Sequence, residues 1–153
     1  MLVLVLLALI LTGCGGAGNS NWQQVQGNGF RFLAPAGWKV TGAMATNGSI
    51  DRVQVNEFRL VHAYQRAKKA AAAKELDGVA ARLAQQLKGT VTSRRTLEVA
   101  GLDARAYAID HKGLTEEFTF VLRGLREYEL LCRRTQGADD ADCRELVTSF
   151  RVG

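Results

Sequence analysis

Between Thr115 and Leu122 polar and apolar side chains alternate. Phe118, Phe120 and Leu122 fall on one face, and Thr115, Glu117 and Thr119 on the other. A period of two is the mark of a half-buried β-strand. The same extended character runs through Thr90–Val99, Leu102–Asp110, Leu114–Arg123 and Arg126–Arg133, with Gly101, Gly113 and Gly124 at the joins. Connections this short predict antiparallel pairing. In the last of these strands Tyr128, Leu130 and Cys132 share a side. Towards the front, Trp22–Gln26 and Phe30–Leu33 flank Gly27-Asn28-Gly29, and Asn-Gly suits the positive φ angles of a tight hairpin turn. Ala34-Pro35-Ala36-Gly37 then turns the chain. Trp38–Val40 reads as a short strand, Asn47-Gly48 as a turn, and Ile50–Leu60 as an extended, β-branched run.

Residues 65–88 change period. From Lys74 onward the apolar positions Leu76, Val79, Ala80, Leu83, Ala84 and Leu87 recur at spacings of three and four, which is one face of an amphipathic helix. The Ala- and Lys-rich run before them leaves the start open between Arg66 and Ala72. Gly89 lies just past the end and Lys88 in the last turn, as a helix C-terminus prefers. Asp139-Asp140 suit a helix N-terminus electrostatically, so a short helix through Cys143, Leu146 and Val147 is predicted, with Ser149–Val152 closing the chain. The fold class expected is α+β: an antiparallel sheet with an N-terminal β-hairpin, one long central helix and one short C-terminal helix.

Residues 1–11 are uninterrupted apolar, followed by Thr12, Gly13 and Cys14 and then a Gly/Ser-rich stretch to Ser20. Eleven residues are too few to cross a bilayer as a helix, which takes roughly 20, but they match the 7–15 residues of a signal-peptide core. The segment resembles the leader of bacterial lipoproteins, in which the cysteine becomes the lipid-modified first residue. That resemblance implies a signal peptide over 1–13, a flexible tether over 14–21 and a single domain over 22–153. It also implies a membrane partner through lipid on Cys14, on the extracytoplasmic side. The first charge of either sign is Arg31, whereas a leader opens on Lys or Arg; a true start upstream of Met1 is the expectation.

The 140 residues beyond position 13 make one domain, and 47% hydrophobic with 23% charged is an ordinary globular composition. With Cys14 assigned to lipid, Cys132 and Cys143 remain. A disulfide is the expectation in an oxidising compartment, with two free buried thiols or a metal site as alternatives. Neither His62 nor His111 stands at ligand spacing from them, and no cofactor is called for. The net charge of +5 permits attraction to anionic lipid or wall polymer. Arg66, Lys68, Lys69 and Lys74 form a cluster with no acid inside it, either a solubilising helix face or a surface for such a partner. No aromatic residues interleave with it, so nucleic acid is not an expected partner.

Candidate chemistry is sparse. Asp110 and His111 adjoin, but neighbours on a strand point to opposite faces, and Lys112-Gly113 beside them predict an exposed turn histidine. Glu116-Glu117 and Glu127/Glu129 could be imagined as paired carboxylates; a solvated sheet face neutralised by arginines is the expected reading. Gly13–Gly18 lacks the strand and helix of a dinucleotide loop, and Asn47-Gly48-Ser49 is better explained by a turn than by glycosylation. Trp22 and Trp38 are expected to pack in the core or hairpin, with the membrane interface as the alternative for Trp22.

Three stretches carry a further resemblance. Phe30-Arg31-Phe32-Leu33-Ala34-Pro35-Ala36-Gly37-Trp38-Lys39-Val40, Gly101 through Ala104 to Tyr107, and Asp142-Cys143 through Ser149-Phe150-Arg151 resemble the PsbP-like α/β/α sandwich family. The likeness spans roughly residues 22–153. The family includes a photosystem accessory subunit, a nuclear-transport cofactor and many bacterial lipoproteins, actinobacterial ones among them. It implies a non-catalytic binding or accessory role, and offers no ligand motif to carry over. The expected function is a lipid-anchored extracytoplasmic binding or accessory protein of the bacterial envelope, engaging an envelope protein or an anionic wall or lipid component. An envelope hydrolase and a purely structural surface lipoprotein are the alternatives.

Overall fold

The computed structural model describes residues 21–59 and 69–153, with side chains in the second segment from residue 73. The expected leader, Cys14, most of the expected tether, Arg66 and Lys68 lie outside the described residues. The elements are β1 (Trp22–Gln26), β2 (Phe30–Pro35), β3 (Lys39–Thr41), β4 (Met44–Thr46), β5 (Arg52–Arg59), α1 (Lys69–Leu87), β6 (Thr90–Val99), β7 (Leu102–His111), β8 (Leu114–Arg123), β9 (Arg126–Thr135), α2 (Ala141–Ser149) and β10 (Arg151–Val152). They build a large sheet in the order β3-β4-β5-β9-β8-β7-β6 and a small one in the order β1-β2-β10, antiparallel throughout. One face of the large sheet packs against α1. The other packs against the small sheet and α2. Among the described residues the class is therefore α+β with two helices, as expected, one on each face of the large sheet.

Covering both faces changes the reading of β8. Thr115 and Thr119 are buried as fully as Phe118 and Phe120, so the strand is buried on both sides. Alternation there records which layer a side chain meets, and the half-buried expectation fails. Below the sheet, Phe30 and Phe150 meet Tyr128 with ring centroids 5.7 and 5.4 Å apart, so the aromatic start of β2 and the end of α2 share one pocket of core. Above it, Leu76, Ala80 and Ala84 of α1 pack on Tyr107, Ile109, Phe118, Phe120 and Leu131. Asp77 on α1 accepts hydrogen bonds from the Tyr107 hydroxyl at 2.6 Å and from Arg105 Nε and Nη2 at 3.0 and 2.9 Å. Burial, reinforced by the bond to Asp77, pushes the Tyr107 hydroxyl well above the ordinary phenol range.

Cys132 on β9 and Cys143 on α2 form a disulfide, with Cα atoms 5.4 Å apart and both residues buried. Closing a loop of 11 residues in the unfolded chain contributes about 3 kcal/mol by the chain-entropy argument. At the far end of α2 the Ser149 hydroxyl accepts the Leu33 amide at 2.8 Å, and Arg151 Nη1 donates to the Thr148 carbonyl at 2.8 Å.

Three local expectations need correction. The short strand runs Lys39–Thr41, not Trp38–Val40, because the Trp38 amide is spent closing a turn onto the Pro35 carbonyl. Its partner β4 was not expected, since Met44-Ala45-Thr46 is too brief to show a period. In the β1–β2 turn only Gly29 takes a positive φ, of 73°, and Asn28 does not.

The end of α1 is also arranged differently. Lys88, not glycine, sits in the left-handed region with φ 55°. Its amide donates to Gln85 at 3.1 Å and that of Gly89 to Ala84 at 2.8 Å, the paired bonds of a Schellman end. Gly89 serves close approach instead: a Cβ there would lie 2.6 Å from the Asp110 carbonyl and 2.8 Å from His111 Cβ. Lys88→Gly should stabilise the protein by up to about 1 kcal/mol, because glycine adopts positive φ without strain. Gly89→Ala should destabilise it by about 1–3 kcal/mol through overpacking. Urea unfolding of the two variants checks both signs.

Candidate functional site

The register of β5, β9, β8 and β7 puts a band of polar side chains on the same sheet face that α1 covers. Arg52 pairs with Arg133, and Arg133 with Glu116, so these three form a row across adjacent strands. Further along β9, on the same face, come Leu131, Glu129 and Glu127, opposite Gln54, Asn56 and Phe58 of β5. The packed core of α1 lies on β6 to β9, so β5 keeps Arg52, Gln54 and Asn56 partly open and Phe58 exposed.

Each group has identifiable contacts. Gln54 donates to Asn56 at 2.8 Å, and Asn56 to Glu129 at 3.1 Å. Burial, with a contribution from the Glu116 charge, still holds the Glu129 carboxyl above its ordinary range, although the bond from Asn56 opposes it. Glu127 is only 9% exposed, and burial followed by the charge of Glu129 pushes its carboxyl up as well. Arg133 donates from Nε to the Ile50 carbonyl at 2.9 Å, and its Nη1 stands 4.0 Å from Glu116. The Arg52 guanidinium is lowered from its ordinary value, first by burial and then by Arg133, with Glu116 opposing.

The expected exposed histidine is corrected here. His111 is the last residue of β7, with a side chain only 8% exposed, and its Nε2 lies 3.3 Å from Glu116 Oε1. That is within ion-pair range but off the hydrogen-bond direction. Asp110 points to the opposite face, where it accepts from Thr115 at 2.7 Å and Gln136 at 2.9 Å, as the strand geometry requires. Glu116 and Glu117 also separate. Glu116 is buried beside His111, whereas Glu117 accepts from Arg134 at 3.0 Å on the other face. The expectation of a solvated carboxylate face neutralised by arginines fails for Glu116 and Glu127, both buried. Arg126, the nearest arginine in sequence, pairs with Glu57 instead.

On the opposite face a cavity of about 770 Å³ is lined by Asp110, Arg134, Gln136, Asp139 and Asp140 at the start of α2. Its acids are engaged: Asp139 accepts the Ala141 amide at 2.6 Å, and Asp140 pairs with Arg144. Of the basic cluster, Lys74 is exposed on α1 and Lys69 is its first residue. Trp38 packs against the core, as expected, and Trp22 is partly buried on β1. Arg52 and Arg133 were not singled out from sequence. The signal was present in Arg52-Val53-Gln54-Val55-Asn56, where every second residue is polar, but such a strand reads as facing water.

Among solved structures, the cyanobacterial PsbP protein CyanoP from Synechocystis sp. PCC 6803 superposes on this chain with a TM-score of 0.60. The two are 13% identical, over 94% of this chain and 99% of CyanoP. A protein from Bacteroides thetaiotaomicron VPI-5482 is more distant, with a TM-score of 0.45 and 13% identity over 88% of this chain and 42% of its own length. No protein-family model and no curated protein sequence matches the chain. The fold is PsbP-like. At this identity the likeness speaks to fold alone.

Glu127→Gln tests the buried row. A carboxyl raised in the fold loses stability relative to the unfolded chain as pH climbs through its folded pKa, and carries no penalty where both states are protonated. The glutamine variant should therefore be more stable at pH 7, by roughly 1 kcal/mol, with the gap closing below about pH 4. Thermal unfolding across that pH range checks it.

Proposed function

We propose that the protein is a lipid-anchored, extracytoplasmic binding or accessory module of a bacterial envelope, tethered through Cys14 and non-catalytic. The observation that carries the reading is the buried Cys132–Cys143 disulfide, because such bonds persist in oxidising compartments outside the cytoplasm. The apolar run ending at Cys14 is an independent feature pointing to the same address. Each buried methylene of an acyl chain contributes about 0.8 kcal/mol, and two chains give a stable anchor where one gives a marginal one. Lys69 and Lys74, with Arg66 and Lys68, add attraction to anionic lipid or wall polymer of about 1 kcal/mol per charge near a surface.

Binding is favoured over hydrolysis by the state of the ionisable groups. His111 meets Glu116, Asp77 meets Arg105 and Tyr107, and Glu117 meets Arg134. Each acid is engaged in holding a layer or a strand in place. The polar half of the α1 face, from Arg52 and Arg133 to Glu127, is the surface assigned to the ligand.

Cys14→Ser should move the protein from the membrane fraction to the soluble one, and unchanged fractionation would overturn the anchor. Crosslinking in the native envelope followed by mass spectrometry should recover one stoichiometric partner.

A further inference from the structure

In the row Arg52, Arg133 and Glu116 the two arginines are directly opposite each other on adjacent strands. Like charges in that position oppose sheet formation. The acid beside them is Glu116, 6% exposed, and it also meets the imidazole of His111. Arg133 lies between Arg52 and Glu116, and one carboxylate against two guanidiniums leaves a unit of positive charge unmatched. Glu129 and Glu127 do not neutralise it; they lie farther along β9, beyond Leu131.

The hydrogen bonding is incomplete in the same place. Arg133 uses Nε on the Ile50 carbonyl. Among the described residues the buried Nε of Arg52 has no acceptor. One buried guanidinium nitrogen without an acceptor thus lies beside a second arginine. Arg133 keeps 26% of its side chain open to water, so the row is reached from outside. A buried donor of this kind is ordinarily satisfied by protein, water or ligand.

We propose that Arg52 and Arg133 hold a phosphate-type oxyanion. Guanidinium groups present several N–H donors in a plane that matches phosphate oxygens bidentately. The anion supplies the acceptor that Arg52 lacks and separates the two like charges. The ligand is either free phosphate or a phosphate esterified in a larger envelope component. This rests on reading the polar half of the α1 face as the binding surface, and it does not depend on the lipid at Cys14.

The test uses the full-length protein in detergent, titrated with inorganic phosphate and, separately, with the soluble diester dimethyl phosphate at constant ionic strength. Saturable binding of either probe is expected, with the Arg52 Nε–H resonance moving along the titration. Arg52→Gln should weaken it tenfold or more, and Arg82→Gln, on the exposed side of α1, should leave it unchanged. Preference for phosphate marks a free ligand, and preference for the diester an esterified one. Absence of saturable binding of both probes, a stationary Arg52 Nε–H signal, or equal affinity in Arg52→Gln overturns the proposal, and none of these results bears on fractionation of Cys14→Ser.

Discussion

The β8–β9 ladder, running in unbroken register from Leu114 and Thr135 to Arg123 and Arg126, is the constraint around which the chain is organised. Phe118, Phe120 and Leu131 on one side and Val121, Tyr128 and Leu130 on the other are all buried. A hairpin apolar on both faces cannot stand at a protein surface, so it demands a layer above and a layer below. α1 is the upper layer. The lower one is assembled from pieces distant in sequence: β1 and β2 from the front of the chain, α2 and β10 from the end. The disulfide between β9 and α2 fastens that lower layer to the ladder it covers.

Much of this was legible in the sequence, and the failures share a cause. The strands from Thr90 to Thr135 announced themselves by glycine spacing, and α1 by its three-and-four period from Leu76 to Leu87. The cysteine pair followed from counting. What local pattern could not convey was which faces would be covered. Thr115 and Thr119 look like water-facing residues and are buried, because small hydroxyl side chains fit beneath a second layer. His111 looks like a turn residue, yet its side chain folds back over Glu116. Lys88 and Gly89 exchange roles for a similar reason: the glycine is demanded by the backbone of β7 passing beneath it, which no helix-end rule contains.

The candidate site was hidden by the same ambiguity. Arg52, Gln54 and Asn56 alternate with Val53 and Val55, a pattern common to a solvent-facing strand and to the margin of a binding surface. Only the register sets Arg52 against Arg133 and leaves both dependent on Glu116. α1 covers the strands from β6 to β9, and the polarity of β5 is what remains when a helix is narrower than the sheet it sits on.

One link in the small sheet has a directional meaning. The Ala36 amide donates to the Asn21 carbonyl at 2.8 Å, and the Gly153 amide to the Gly29 carbonyl at 2.9 Å, so the start of β1 and the end of β10 are both held in the lower layer. Asn21 and Gly153 therefore both lie in that layer, with the large sheet between them and the Arg52–Arg133 row. A partner seated on the arginine row would approach from the side away from both Asn21 and Gly153.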